Sequence, residues 1–361
     1  MLALGPSLLA QEEQEPELAL DLAIWDKSVT LRGALGYKDN VLLSSAQPEG
    51  SAFWQTTIDL TLLRASLESG PNFTFFLSAE DRRYFSAEDL EKEQLVLGQA
   101  KIEQPFLSDW VASATAQYLY IDQVYDASST EQILETLPVQ GHNLQFSPAI
   151  KRSLPWNTEL ELDFTVERQF FEEPLDDYWE VGPQLTFTKK YGHSSEASVS
   201  YTLDHRSYDE RTERDLNFDP VPGSPLEYLQ HEFELSLYHS WDANRRWRSR
   251  FRGLVEINED GGTGFYDYTR YRLSKRFGYY GVDWQATLEG KILHYDYVKQ
   301  PVFEGDEVRS TWEYVVNAHI EKSLWKKLTI FADTEYEMAK SNYALEEYNV
   351  LTIMGGVDWE F

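Results

Sequence analysis

Asn349-Val-Leu-Thr-Ile-Met-Gly-Gly-Val-Asp-Trp-Glu-Phe361 sorts its side chains by parity. Leu351, Ile353, Gly355, Val357, Trp359 and Phe361 fall on one face of an extended strand, and Thr352, Met354, Gly356, Asp358 and Glu360 on the other. Successive strand side chains point to opposite faces, so this strand has one greasy side. That side finishes on an aromatic residue. The closing strand of a transmembrane β-barrel has a reason to finish so, because it leaves the membrane at a girdle of aromatic side chains.

The same period-two pattern runs back along the chain. It predicts an all-β fold: one antiparallel transmembrane barrel of about sixteen strands. The strands are expected over residues 28–38, 51–65, 72–82, 93–103, 110–123, 140–151, 157–169 and 177–189, then 195–207, 228–240, 246–257, 264–276, 280–296, 308–322, 327–339 and 348–361. Connections alternate in length. Short ones include Ser153-Leu-Pro-Trp156, Trp241-Asp-Ala-Asn244 and Phe277-Gly-Tyr279, while the longest runs from about Tyr208 to Glu227. Short periplasmic turns and long external loops are the barrel arrangement, and an even strand number puts both termini on the short-turn side.

Composition agrees. Tyr, Phe and Trp number 22, 19 and 11 in 361 residues. Trp110, Trp156, Trp247, Trp325 and Trp359 lie at short-turn ends of strands, and Trp54, Trp179 and Trp312 at long-loop ends. Such belts mark membrane interfaces. Mean hydropathy is -0.50 and no run of residues is long and apolar enough for a transmembrane helix. A barrel escapes that test because only alternate residues face lipid. Cysteine is absent, which excludes disulfides, thiolate nucleophiles and Cys-ligated zinc. A net charge of -29 argues against nucleic acid as a partner. Residues 1–10 are expected to be a signal-peptide remnant, 11–27 an acidic periplasmic lead-in, and 28–361 the barrel.

With the apolar face turned to lipid, the other face lines the lumen. Glu159, Glu161 and Asp163 then point inward opposite Leu160, Leu162 and Phe164. Glu232 and Glu234 do the same on their strand, as do Asp333, Glu335 and Glu337 on theirs. One wall is basic: Arg248, Arg250 and Arg252 point inward, joined by Arg270 and Arg272 on the next strand. Sixteen strands enclose more space than side chains fill, so water is expected inside unless a segment plugs it. A basic wall facing acidic walls would set up a transverse field favouring polar solutes. The competing reading is structural, since Glu232, Glu234, Asp283 and Glu289 lie on strands flanking the arginines and could neutralise them as cross-strand salt bridges.

Two resemblances follow from these residues. Gly356, Val357, Trp359 and Phe361 are similar to the C-terminal insertion signal of Gram-negative outer-membrane barrels, with Met354 where a polar residue is usual. That implies the outer membrane as location, its lipid and lipopolysaccharide as surroundings, and the barrel-assembly machinery as a partner of the last strand. The charged lumen resembles the constriction of sixteen-stranded general diffusion porins, which implies passive diffusion of small polar solutes or ions. In those porins the third external loop folds into the lumen. Here that loop contains Ser129-Thr-Glu-Gln-Ile-Leu-Glu-Thr-Leu137, with capping-box spacing and Pro138 as a helix stop, but without the porins' acidic-glycine sequence. Ser86-Ala-Glu-Asp-Leu90 has the same caplike spacing. Ala112, Ala114 and Ala116 form a small-residue outer patch, a possible homo-oligomer contact.

Catalytic signatures are missing. None of His142, His193, His205, His231, His239, His294 and His319 has metal-ligand spacing, and Gly261-Gly-Thr-Gly264 is followed by no helix. His205 with Asp204 and Asp209 is the one cluster with acid-base potential. No enzyme, metal or cofactor is expected. Acidic residues of the long loops, such as Asp209, Glu210, Glu213, Asp215 and Asp219, could instead bind divalent cations shared with lipopolysaccharide phosphates. Besides the diffusion pore, two readings stay open: a partner-dependent export or assembly barrel, and a structural anchor with a plugged lumen.

Overall fold

A computed structural model describes residues 23–67, 70–88, 90–126, 136–192, 194–302 and 307–361. Sixteen antiparallel strands close into one barrel. In chain order they are β1 (Ala23–Lys38), β2 (Ser51–Ser66), β3 (Asn72–Tyr84), β4 (Lys92–Leu107), β5 (Trp110–Asp126), β6 (Thr136–Leu154), β7 (Thr158–Phe171) and β8 (Tyr178–Tyr191). The second half comprises β9 (Ser195–Arg214), β10 (Pro220–Ser240), β11 (Trp247–Asp260), β12 (Tyr268–Tyr280), β13 (Trp284–Pro301), β14 (Val308–Trp325), β15 (Leu328–Ser341) and β16 (Tyr348–Glu360). Each strand pairs with its sequence neighbours, and β1 pairs with β16 to close the ring. Closure leaves no edge strand, so the wall's backbone groups pair from strand to strand without needing water.

The closing seam runs from Thr30↔Glu360 to Lys38↔Thr352. On its inner face Arg32 grips Asp358 with two hydrogen bonds, 2.7 and 3.0 Å. The Arg32 guanidinium also lies 4.5 Å over the Phe331 ring. Phe331 sits opposite Gly356, and a Cβ at Gly356 would strike the Gly33 carbonyl and that ring. The glycine of the C-terminal motif thus has a local job: it lets an aromatic ring lie flat on the seam.

Large apolar side chains are exposed along the outer wall. Leu160, Leu162, Phe164, Phe233, Leu235, Val255, Leu273, Ile292, Ile330 and Val357 are examples. Water would oppose this surface, whereas hydrocarbon accepts it. Trp54, Trp179 and Trp312 are exposed near one rim, and Trp247, Trp325 and Trp359 near the other. Buried apolar residues gather instead inside the long-loop mouth. Val41 and Leu43 of the 39–50 loop pack inward against Phe53, Tyr84, Tyr348 and Val350. Phe265 and Tyr266 of the 261–267 loop pack on Tyr178, Tyr208 and Tyr228.

Several expected boundaries move. β1 begins at Ala23, five residues before the expected start at Ser28. The stretch expected as the longest loop is mostly strand: β9 continues to Arg214 and β10 starts at Pro220, so only 215–219 connect them. Asp209, Glu210 and Glu213 therefore belong to a strand that extends the hairpin. In the short connection, the Asn217 and Asp219 N–H groups donate to Asp215, which holds its carboxyl below the usual carboxylate range. β12 runs to Tyr280, so Phe277-Gly-Tyr279 is strand and the turn is 281–283. Most of the helix expected at Ser129–Leu137, and the turn residue His193, lie outside the described residues. Of the second expected helix, Ser86–Glu88 and Leu90 are described and none is helical, and Leu90 joins the buried cluster inside the mouth.

Candidate pore lining

Register carries the inner face around the ring. Glu159, Glu161 and Asp163 on β7 pair with Thr188, Thr186 and Gln184 on β8, away from exposed Leu160 and Leu162. Glu232 and Glu234 on β10, Arg248, Arg250 and Arg252 on β11, and Arg270 and Arg272 on β12 share that face. So do Asp333, Glu335 and Glu337 on β15, which pair with His319, Asn317 and Val315 on β14. The expected inward residues thus share one face of the sheet, opposite the exposed apolar one.

A cavity of about 640 Å³ lies within it. Arg32, Lys38, Arg82 and Arg270 line it together with Glu313, Asp333, Glu335 and Glu337, and Leu43 of the inward loop joins them. Each β15 carboxylate has a polar partner. His319 Nδ1 is 2.6 Å from Asp333, the Asn317 amide donates to Glu335 at 3.1 Å, and the Tyr348 hydroxyl donates to Glu337 at 2.6 Å. A second cavity, about 390 Å³, is lined by Asp163, Glu167, Glu180, Asp204 and Glu232 among hydroxyl and amide side chains.

The arginine wall divides into two tiers. Arg270 binds Glu256 and stands 3.8 Å from Glu232. Arg272 reaches Glu234 at 3.6 Å and Arg276 reaches Glu289 at 2.5 Å. Cross-strand neutralisation therefore holds for these three, Arg276 among them although it lies at the lower level, opposite Arg250. Asp283, the other carboxylate expected to join in, lies in the 281–283 turn. Nearer the short turns, Arg248 donates to the Arg245 carbonyl at 2.6 Å and lies 4.4 Å over Tyr280, and Arg250 lies 5.9 Å from the Tyr238 ring. Among the described residues, no carboxylate lies within 4 Å of Arg248, Arg250 or Arg252.

Like charges also sit directly opposite one another. Glu167 pairs with Glu180, Glu232 with Glu256, and Arg250 with Arg276. Such pairs destabilise a sheet. Arg206 relieves the first at 2.7 Å from Glu180, and Arg270 relieves the second.

Further charged groups join the inner face. Arg32 and Lys38 share the parity opposite Leu31 and Leu35, so alternation already marked them as inward. Arg82 and Glu93 form a 3.1 Å pair with Lys38 at 3.4 Å. The run Asp81-Arg82-Arg83 hid them, because charges on both faces erase the two-fold contrast. The histidine cluster does not assemble. Asp204 faces inward beside Gln230, whereas His205 faces outward beside Leu229, 3.5 Å from Glu227, and Asp209 binds Arg168 at 2.5 Å. Among the described residues, no group of three or more acidic or histidine side chains is placed to hold a metal ion.

A closed antiparallel ring, an apolar aromatic-belted exterior and a charged interior define a membrane-spanning β-barrel. Solved structures with this architecture include the anion-selective porin from Comamonas acidovorans, 9% identical over 94% of this chain and 100% of that one, at a TM-score of 0.46. A BenF-like porin from Pseudomonas fluorescens is 6% identical over 93% of this chain and 99% of that one, TM-score 0.49. The outer membrane protein OprD from Pseudomonas aeruginosa is 10% identical over 93% and 94%, TM-score 0.47. No family model and no curated protein matches the sequence.

Proposed function

We propose that the chain is an outer-membrane pore of a Gram-negative bacterium, passing small polar solutes or ions by passive diffusion through a charged aqueous lumen. The supporting observation is the inward pair Arg250 and Arg252, which are exposed and, among the described residues, have no carboxylate within 4 Å. A dry plugged wall would be weakened by such uncompensated charges, whereas a wet lumen solvates them and uses their field. In this reading the last strand, ending Gly356, Val357, Trp359 and Phe361, is the segment offered to the barrel-assembly machinery. The exterior meets outer-membrane lipid and lipopolysaccharide. The chemistry needs no catalytic group.

The test is conductance of the folded, detergent-purified protein in a planar lipid bilayer. Discrete current steps are the expected result. Folded protein that inserts without steps would overturn the proposal in favour of a plugged anchor, a reading that inward-packed Val41 and Leu43 already favour at the long-loop mouth.

A further inference from the structure

The outer wall carries a cation on its apolar, lipid-facing side. Lys275 lies on β12 between outward Leu273 and Phe277, and its cross-strand neighbours on that face are Phe251 and Gly290. It is exposed, and among the described residues it has neither a carboxylate nor a ring partner. A lysine facing lipid in mid-strand is costly unless its ammonium reaches the interface or meets an anion. The short-turn interface is near. Phe277, two residues on, stacks with Trp247 at 5.4 Å, and Trp247 contacts Tyr279 at 4.8 Å, so these rings mark the girdle.

Beside Lys275 the wall is hollowed. Leu273, Ile292, Tyr314 and Val316 line an apolar groove of about 370 Å³. Gly290 supplies part of its floor, since a Cβ there would touch nothing within 4 Å. Every outward neighbour of that position is larger. The groove therefore offers an acyl chain more contact than the surrounding wall does.

We infer that this groove is a phospholipid site, with the acyl chain lying over Gly290 and the lipid phosphate held by Lys275. Orientation selects the occupant. The cation lies towards the short-turn rim and the groove rises from it towards mid-wall. A lipid seated there keeps its headgroup at the periplasmic interface and its tail pointing outward. Lipopolysaccharide hangs the other way, headgroup at the long-loop rim. The occupant is accordingly an anionic phospholipid of the periplasmic leaflet.

Native mass spectrometry of the folded protein, titrated in detergent with phosphatidylglycerol or phosphatidylcholine, tests this. One phosphatidylglycerol should be retained in preference to phosphatidylcholine. Lys275→Gln should weaken phosphatidylglycerol retention roughly tenfold and phosphatidylcholine less, because both lose the contact to their phosphate but only phosphatidylglycerol carries a net negative charge with no headgroup cation to offset it. Gly290→Leu should weaken both lipids alike by filling the floor. Heat-modifiable gel migration verifies that each variant is folded, and removing a lipid-facing charge does not endanger the barrel. Equal phosphatidylglycerol retention by wild type and Lys275→Gln would overturn the site. So would protein dimers that Lys275→Gln abolishes, since a second copy would then be the occupant.

Discussion

At the long-loop end of the barrel, charged side chains stand in dry, partnered positions; at the short-turn end the same residue types stand in the open. The side chains of Arg309 on β14 and Glu346 in the last loop are each 1% exposed and lie 2.9 Å apart, with Tyr297 and Gln300 among the arginine's other partners. Arg252 on β11 is exposed, with no carboxylate within 4 Å among the described residues. Both point into the barrel. What separates them is the packing overhead: inward loops dry the upper tier, and among the described residues no loop cluster packs over the lower one. Burial turns a charge into a strut that fails when its partner leaves, whereas exposure leaves it as a source of field.

The largest test of this contrast is Arg309→Ala. It leaves Glu346 in a dry site without its counter-charge, keeping the Ser341 and Thr311 hydroxyls, and a loss of about 3–5 kcal/mol is expected from urea unfolding followed by tryptophan fluorescence in lipid vesicles. Arg252→Ala should stay within about 0.5 kcal/mol in the same assay. Equal losses would erase the distinction between tiers. Arg270→Ala comes next, at roughly 2–3 kcal/mol, because its site is only partly dry and Glu256 keeps the Tyr268 hydroxyl at 2.8 Å. Asp358→Asn should cost about 1 kcal/mol, since the Arg32 it releases is part-exposed and keeps its place over Phe331.

The strands were legible because lipid on one side and water on the other force a two-residue contrast on every wall segment. Legibility failed where that asymmetry fails. Tyr208–Arg214 and Pro220–Glu227 carry polar residues on both faces, so the prolonged β9–β10 hairpin read as loop. Phe277 and Tyr279 read as a turn because girdle aromatics mimic the end of a strand. Val41-Leu-Leu43 is an apolar run inside a loop, a signal of inward packing that alternation cannot register. The lining followed from parity alone, but its pairing did not. Which arginine meets a carboxylate depends on cross-strand register. Arg272 falls beside Glu234's strand partner Leu254, within reach of the carboxylate, and Arg252 falls between Ser236 and Ser274.

That difference sets the smallest and most specific expectation. If the lower arginines and the β15 carboxylates act through field alone, neutralising either set should leave folding and step size nearly intact and move ion preference in opposite directions. Replacing Asp333, Glu335 and Glu337 by Asn, Gln and Gln should lower the cation-to-anion permeability ratio roughly threefold, read as the reversal potential under a salt gradient. Replacing Arg248, Arg250 and Arg252 by Gln should raise it by a similar factor. Both shifts should shrink as salt rises, because screening shortens the reach of exposed charges first. A β15 shift that persists in high salt would mean that those carboxylates bind ions directly, as His319, Asn317 and Tyr348 already hold them in fixed poses around the cavity.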